Sequence, residues 1–378
     1  MNLCEVPSDP MHGYYGEVMS KIINHLCAVL GAAFVAITVT AVPAVAQRTP
    51  LTLGTINKGD VIKLKSCPAG YYPGMTCFRG QVDNCANATS LSFTYGYEDP
   101  QGEPVGTVMF LEGGGGTTPY DHPTYAQKYL QNGFQVVYAT WDSDWELTGA
   151  APSIKYAACR PATLLNYIYE NIYSRGGMCA QGSSAGSGAL GYALAWYGSS
   201  SFLDSVELLS GPVFGDIKQG CEVPDAPTVN VCATGQFGCD GAEWPDSPAY
   251  VDGDQNLIRN WSNQPSCNAG KTTSASVNAL WKEMSIVDGT EDPSFTYPQT
   301  ALAGYLCSNV DSVQNNSAAQ GEFFYQQFTS TRQTASYSLT RINHCSGTEG
   351  VTNGETPQGE TGFVAVSDHM LSSCIKRH

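Results

Sequence analysis

An α/β fold, a mostly parallel sheet flanked by helices, is the architecture this sequence predicts, and three observations carry it. Two apolar runs, Val105 to Leu111 and Phe134 to Thr140, have the composition of strands buried on both faces. Helical patterns alternate with the strand candidates, which implies a parallel sheet with crossover connections. A glycine-framed stretch, Gly182-Ser183-Ser184-Ala185-Gly186, lies between a strand candidate and a helix candidate. The chain has 378 residues, enough for one large core. Charged residues make up 14% and hydrophobic ones 42%, a globular rather than a disordered balance. A formal net charge of -16 would repel a phosphate backbone, so nucleic-acid binding is disfavoured.

The N-terminal 46 residues are expected to be a leader. Met19-Ser20-Lys21 opens a signal-like segment, an apolar run extends from Leu26 to Val42, and Ala44-Val45-Ala46 offers a cleavage site before Gln47. The first 18 residues carry Glu5, Asp9 and Glu17, which points to Met19 as the true start. An uncleaved anchor is the alternative, since the run approaches the length of a bilayer span. Pro43 and the small residues favour cleavage, so no stable membrane insertion is expected and the protein is placed outside the cell or in the periplasm.

Twelve cysteines remain behind the leader, which itself holds Cys4 and Cys27. An even, high count after an export signal reads as disulfides in an oxidising compartment, and no C-x-x-C pair supports a zinc site. Cys159 and Cys179 are not expected to pair. The intervening helix separates them by roughly 20 Å at about 1.5 Å per residue, whereas a disulfide needs Cα atoms within about 7 Å. Cys159 is expected instead to meet a cysteine of a later insertion, such as Cys221.

In chain order, residues 47–90 form a turn-rich segment with Cys67, Cys77 and Cys85 close together. Alternation from Leu91 to Tyr97 predicts a strand. The buried strand Val105 to Leu111 follows and ends in Glu112-Gly113-Gly114-Gly115-Gly116. A short helix is expected around Thr124 to Leu130, then the strand Phe134 to Thr140. Cys159-Arg160-Pro161 opens a helix whose apolar stripe is Leu164, Leu165, Ile168 and Ile172. Met178 to Gln181 is the strand before the glycine-framed turn, and a small-residue helix runs on to Trp196. Val206 to Leu209 gives a further strand. From 214 to 273 the rhythm breaks into a Cys-rich insertion within one catalytic domain, 47–378. A helix around Val277 to Glu283, a strand at Met284 to Val287, a last strand from Tyr337 to Ile342 and a helix from Phe363 to Ile375 complete the pass.

Gly182 to Gly186 fits G-x-S-x-G in a strand–turn–helix context, where the turn exposes a serine hydroxyl at the end of the sheet. Ser184 is the candidate nucleophile, and the amide of Ala185 faces the same point from the helix N-terminus. A serine needs a base, and the base an orienting acid. Asp292 and His344 follow Ser184 in the order expected of this architecture, with Asp288, Glu291 and Asp216 as rival acids. His344 is preferred to His369, which falls on the closing helix. The glycines after Glu112 can turn backbone amides toward a carbonyl oxygen, so Gly114 and Gly115 are the candidate oxyanion-hole donors with Ala185.

On the glycine-rich loop, Gly182 to Gly186, Asp292 and His344, the chain resembles the α/β-hydrolase superfamily over most of residues 91–378. Phe110-Leu111-Glu112-Gly113-Gly114-Gly115 also looks, more faintly, like the loop of pectin-acetylesterase and Notum-type carboxylesterases. The resemblance implies a secreted serine hydrolase acting on a small-molecule or polymer ester through an acyl-enzyme, with no cofactor or metal. A serine peptidase and a non-catalytic binding protein of the same fold are the alternatives.

Overall fold

The computed structural model describes residues 49–147, 154–217, 274–287, 295–307, 338–345 and 350–375, with short pieces between 320 and 331. Two compact units divide the chain, Met1–Gln47 and Arg48–His378, and every described residue lies in the second. The expected leader and all but the first few residues of the expected insertion lie outside the described residues, as does Cys221.

Among the described residues, nine strands form one sheet. They are β1 (Ile62–Lys63), β2 (Thr76–Val82), β3 (Leu91–Glu98), β4 (Gly106–Leu111), β5 (Phe134–Trp141), β6 (Gly177–Ser183), β7 (Ser205–Leu209), β8 (Ala301–Cys307) and β9 (Ser338–Ile342). Their order is β1-β2-β3-β5-β4-β6-β7-β8-β9. The first three strands and the β3–β5 pair are antiparallel, and every pairing from β5 to β9 is parallel. The principal helices are α1 (Pro123–Gln131), α2 (Cys159–Asn171), α3 (Ala185–Tyr197), α4 (Ala275–Met284) and α5 (Gly362–Ser373). A mostly parallel sheet in this order, with a tight turn from β6 into α3, is α/β-hydrolase-like.

Strand alternation divides the core into two layers. Met109, Leu111, Val137, Ala139, Met178 and Ala180 face one way, toward α2, α3 and α4. Val108, Phe110, Val136, Tyr138 and Cys179 face the other, toward α1 and α5. Both faces of β4 and β5 are therefore covered and every residue in them is buried, which is why their sequences read as largely apolar runs rather than as an alternation. Among the described residues, no helix is long and apolar enough to cross a membrane.

One expected strand is corrected. Met284 ends α4, and the next residues pair outside the sheet: the amides of Ile286 and Val287 donate to the carbonyls of Phe214 and Gly215. The sheet position belongs to Ala301–Cys307, which is buried throughout. Its pattern is broken by Gly304, where a Cβ would overlap the Tyr325 ring packed over the strand. An aromatic lid on a strand takes the place a side chain would have filled, and so hides the strand from periodicity.

The cysteines are also corrected in part. Cys159 is bonded to Cys85, not to a cysteine of the insertion, with Cα atoms 5.8 Å apart. Cys179 is bonded to Cys374, beyond α5, so the two cysteines expected to stay apart do so. Distance along α2 is half of the reason. The other half is that Cys159 packs in the α2/α3 layer and Cys179 in the opposite one. Cys67–Cys77 and Cys307–Cys345 complete the described bonds.

Cys179–Cys374 spans 195 residues of sequence and pins α5 to a central strand. Replacing both cysteines by alanine should lower the free energy of unfolding by about 2–5 kcal/mol, read from urea denaturation. Non-reducing peptide mapping should recover the Cys85–Cys159 and Cys179–Cys374 peptides.

Candidate active site

Ser184 stands between β6 and α3 with φ 47° and ψ −115°, a conformation that disfavours any residue carrying a Cβ. Backbone held this way costs about 1–3 kcal/mol and persists only where its surroundings over-determine it. Here the Ser184 amide donates to the Leu209 carbonyl at 2.9 Å, and the Ser184 carbonyl accepts from the Gly188 amide at 3.0 Å and from the Ser187 hydroxyl. The two framing glycines are required by close approach. A Cβ on Gly182 would lie 2.6 Å from the Gly186 carbonyl group, and one on Gly186 would overlap the Leu111 carbonyl oxygen.

The loop after β4 meets the serine directly. A Cβ on Gly113 would lie 3.0 Å from the Ser184 Cβ and 3.6 Å from its Oγ. Gly114, Gly115 and Gly116 follow with φ of 57°, 75° and 70°, a left-handed run open only to glycine without strain. The Gly113 amide is taken by the Glu112 carboxylate at 2.7 Å, and the Gly116 amide by the Gly113 carbonyl at 2.9 Å. The amides of Gly114 and Gly115, the two expected donors, make no hydrogen bond among the described residues.

Two features support this loop that sequence reasoning did not identify. Glu112 bridges its ends: one carboxylate oxygen accepts from Gly113 and the other from the Asp121 amide at 3.0 Å. Burial pushes the Glu112 carboxyl up to about 7, against the pull of the Gly113 amide and with the help of the Asp121 charge. On its other side the Gly115 carbonyl accepts from the Trp145 amide at 3.0 Å, and Asp144 packs against the Gly115 Cα. Buried Arg160 fixes that wall, donating to the carbonyls of Trp145 (2.8 Å), Leu147 (2.6 Å) and Thr89.

His344 follows β9, so it stands at the same carboxyl edge of the parallel strands as Ser184. It is exposed and has φ 57°. Its neighbours are tied down on both sides. Asn343 exchanges two backbone hydrogen bonds with Glu355, at 2.7 and 2.8 Å, and Cys345 is bonded to Cys307 at the end of β8. No hydrogen bond joins His344 to Ser184 among the described residues. Asp292, Asp288 and Glu291 lie outside the described residues. Asp216 lies in the loop after β7, where its amide donates to the Gln320 side chain at 2.7 Å.

His369 has a different setting. Its Nδ1 is 2.9 Å from the Glu207 carboxylate, which is wholly buried in the middle of β7. Gln181 is the register partner of Glu207 in β6, and it accepts from the Tyr129 hydroxyl at 2.6 Å while donating to the Tyr120 hydroxyl at 2.8 Å. These groups form a buried polar layer under α1 and α5. Gln181 is three residues before Ser184, a rise of about 10 Å along the strand.

No family model matches the chain, and no curated protein matches it. Solved structures similar to it include a bacterial heroin esterase, at 11% identity and a TM-score of 0.44 over 80% of this chain and 84% of that one. A thermostable carboxyl esterase from Bacillus coagulans gives 14% identity and a TM-score of 0.40, over 78% of this chain and 97% of the other. Est1E from Butyrivibrio proteoclasticus gives 11% and 0.42, over 75% and 93%. Likeness this distant leaves the fold to stand on strand order and the chemistry on local geometry.

Burial raises the Glu207 carboxyl to about 7, partly offset by the hydrogen bond and charge of His369. A carboxyl whose folded pKa is raised stabilises the native state fully below the unfolded carboxylate range, and that contribution is lost as pH rises through about 7. Unfolding free energy should therefore fall between pH 4.5 and pH 7. Glu207→Gln, which cannot ionise, should flatten that fall by about 3 kcal/mol, the worth of such a shift. Denaturant unfolding of both proteins at pH 5 and pH 8 measures the difference.

Proposed function

We propose that this protein is an exported serine hydrolase that cleaves carboxylic esters. Ser184 attacks the ester carbonyl, His344 takes its proton and returns it to the leaving alcohol, and Asp292 orients the imidazole. Water then releases the acyl group by the same route. The amides of Gly114, Gly115 and Ala185 hold the oxyanion of the tetrahedral intermediates. The substrate is a small-molecule or polymer ester.

One observation carries the reading: a serine in a strained backbone conformation, framed by two obligatory glycines and abutted by Gly113, from which a run of left-handed glycines continues. Strain of this kind gathers at functional sites, and an idle glycine-rich turn has no need of it. The choice of His344 over His369 is supported by Glu207, which engages His369 on the α5 side of the sheet and well below the serine. The anchored backbone on both sides of His344 favours it further, since a general base must hold its place. Export is supported by the disulfides, which persist in oxidising compartments.

A fluorophosphonate probe should label the wild-type protein at Ser184, and p-nitrophenyl esters should be turned over. Ser184→Ala and His344→Ala should each lower kcat by about 10⁴-fold or more, because such residues act as a unit. His369→Ala should retain most of the activity. Turnover that survives in Ser184→Ala, or that fails in His369→Ala and not in His344→Ala, would overturn the assignment.

A further inference from the structure

The Glu112 carboxylate is a buried acid that the reaction as drawn does not use. It joins the first peptide of the glycine loop, at Gly113, to the far end of the same loop, at Asp121, just before α1. Each of its oxygens accepts from a backbone amide, and the Asp121 side chain lies within hydrogen-bonding reach as well, so its place in the fold depends on two lone pairs facing two N–H donors beside a second carboxyl. An ionised carboxylate meets that demand, since it accepts with both oxygens and donates with neither. A protonated one donates instead, and the Asp121 carboxylate beside it is the acceptor that would draw the protonated oxygen away from its amide.

The loop so closed is the one that touches the nucleophile. Gly113 abuts Ser184, and by accepting the Gly113 N–H the carboxylate removes that amide from the set that can face a substrate. The Gly113 carbonyl is turned to receive the Gly116 amide, which leaves Gly114 and Gly115 as the open donors of the four glycines among the described residues. Loosening either end of the bridge would let the donors drift. Oxyanion stabilisation depends on donors already fixed where charge will develop, so drift weakens the transition state far more than substrate binding.

We propose that Glu112 is a positioning residue for the oxyanion loop: in its ionised form it holds Gly114 and Gly115 in place beside Ser184 and thereby sets kcat rather than KM. This rests on the ester-hydrolase reading given above. Burial and the Asp121 charge bring the Glu112 proton into the neutral range, so the bridge opens as pH falls through about 7. The ionisable groups around it are Asp121 and Tyr120 before α1, Tyr138 on β5, and His122, which lies 3.1 Å from Asp121.

Glu112→Gln is nearly isosteric but can satisfy one amide at most. Its kcat on p-nitrophenyl acetate at pH 8 should fall about 10–100-fold, short of the loss of a whole oxyanion donor, with KM changed less than about 3-fold. Glu112→Asp, which keeps the charge, should recover part of the lost kcat. Below pH 7 the wild-type kcat should show a protonation, that of Glu112, which the pH profile of the Gln variant lacks. Hydrogen exchange gives a reading independent of turnover. Protection of the amides from Gly113 to Asp121 should drop below pH 7 in the wild type and be low at every pH in the Gln variant. An active wild type whose Gln variant keeps its kcat, pH profile and protection overturns the role of Glu112 alone. So does a variant that loses activity through KM or through global unfolding. A wild type that hydrolyses no ester and is not labelled at Ser184, yet shows the expected exchange pattern, overturns the functional reading and with it the claim on kcat, while the bridge itself stands.

Discussion

The close approach of α3 to β4 and β6 governs this molecule. The helix starts so near the strands that two Cβ atoms have had to be deleted, at Gly182 and Gly186, and Ser184, midway between them, is bent into a conformation that few side-chain-bearing residues adopt. A strand that turns straight into a helix at its carboxyl end needs covered faces on both sides, and β6 has β4 and β7 beside it with helices above and below. The apolar character of β4 and β5 is the sequence-level expression of that burial.

What the strands deliver to the carboxyl edge is then secured by unrelated devices. The glycine loop is bridged by a carboxylate at its base and backed by a wall that Arg160 ties through three backbone carbonyls. The His344 segment has a disulfide on one side and a pair of backbone hydrogen bonds on the other. Loops with this much polar backbone and so little apolar surface cannot be fixed by packing alone, and each is held through directional bonds to its own main chain.

Legibility in the sequence followed the reach of each interaction. Strands β3 to β7 and the β6–α3 turn were readable because their cause is local: period, burial and glycine spacing sit within a dozen residues. Strand β8 was not, because the reason for Gly304 is the ring of Tyr325, which belongs to another segment. The Glu207–His369 pair and the Gln181 layer were equally invisible. Gln181 and Glu207 are neighbours only once β6 and β7 are in register, and His369 reaches them from the last helix. The sequence places His369 on the closing helix, but the buried acid it meets becomes visible only in the folded chain. Of the candidate site, the strained turn at Ser184 and the close approach at its framing glycines could be read. The Glu112 bridge could not, since a glutamate before four glycines looks the same whether its carboxylate faces water or its own loop. Cysteine pairing shows the limit from another side: helix length excluded Cys179 as the partner of Cys159 but could not select Cys85.

The bond between Cys179 and Cys374 gives the chain a property that its fold alone would not. It encloses Ser184, the whole insertion and His344 in one covalent ring that begins on a central strand and ends after the last helix. A backbone cut between Ser184 and His344, inside that ring, divides the polypeptide without releasing either piece. The fragment that keeps the serine and the glycine loop stays tethered to the fragment that keeps the histidine. A protein cut in this way would run as one species on a non-reducing gel and be separable by thiols, with its serine and histidine segments still joined.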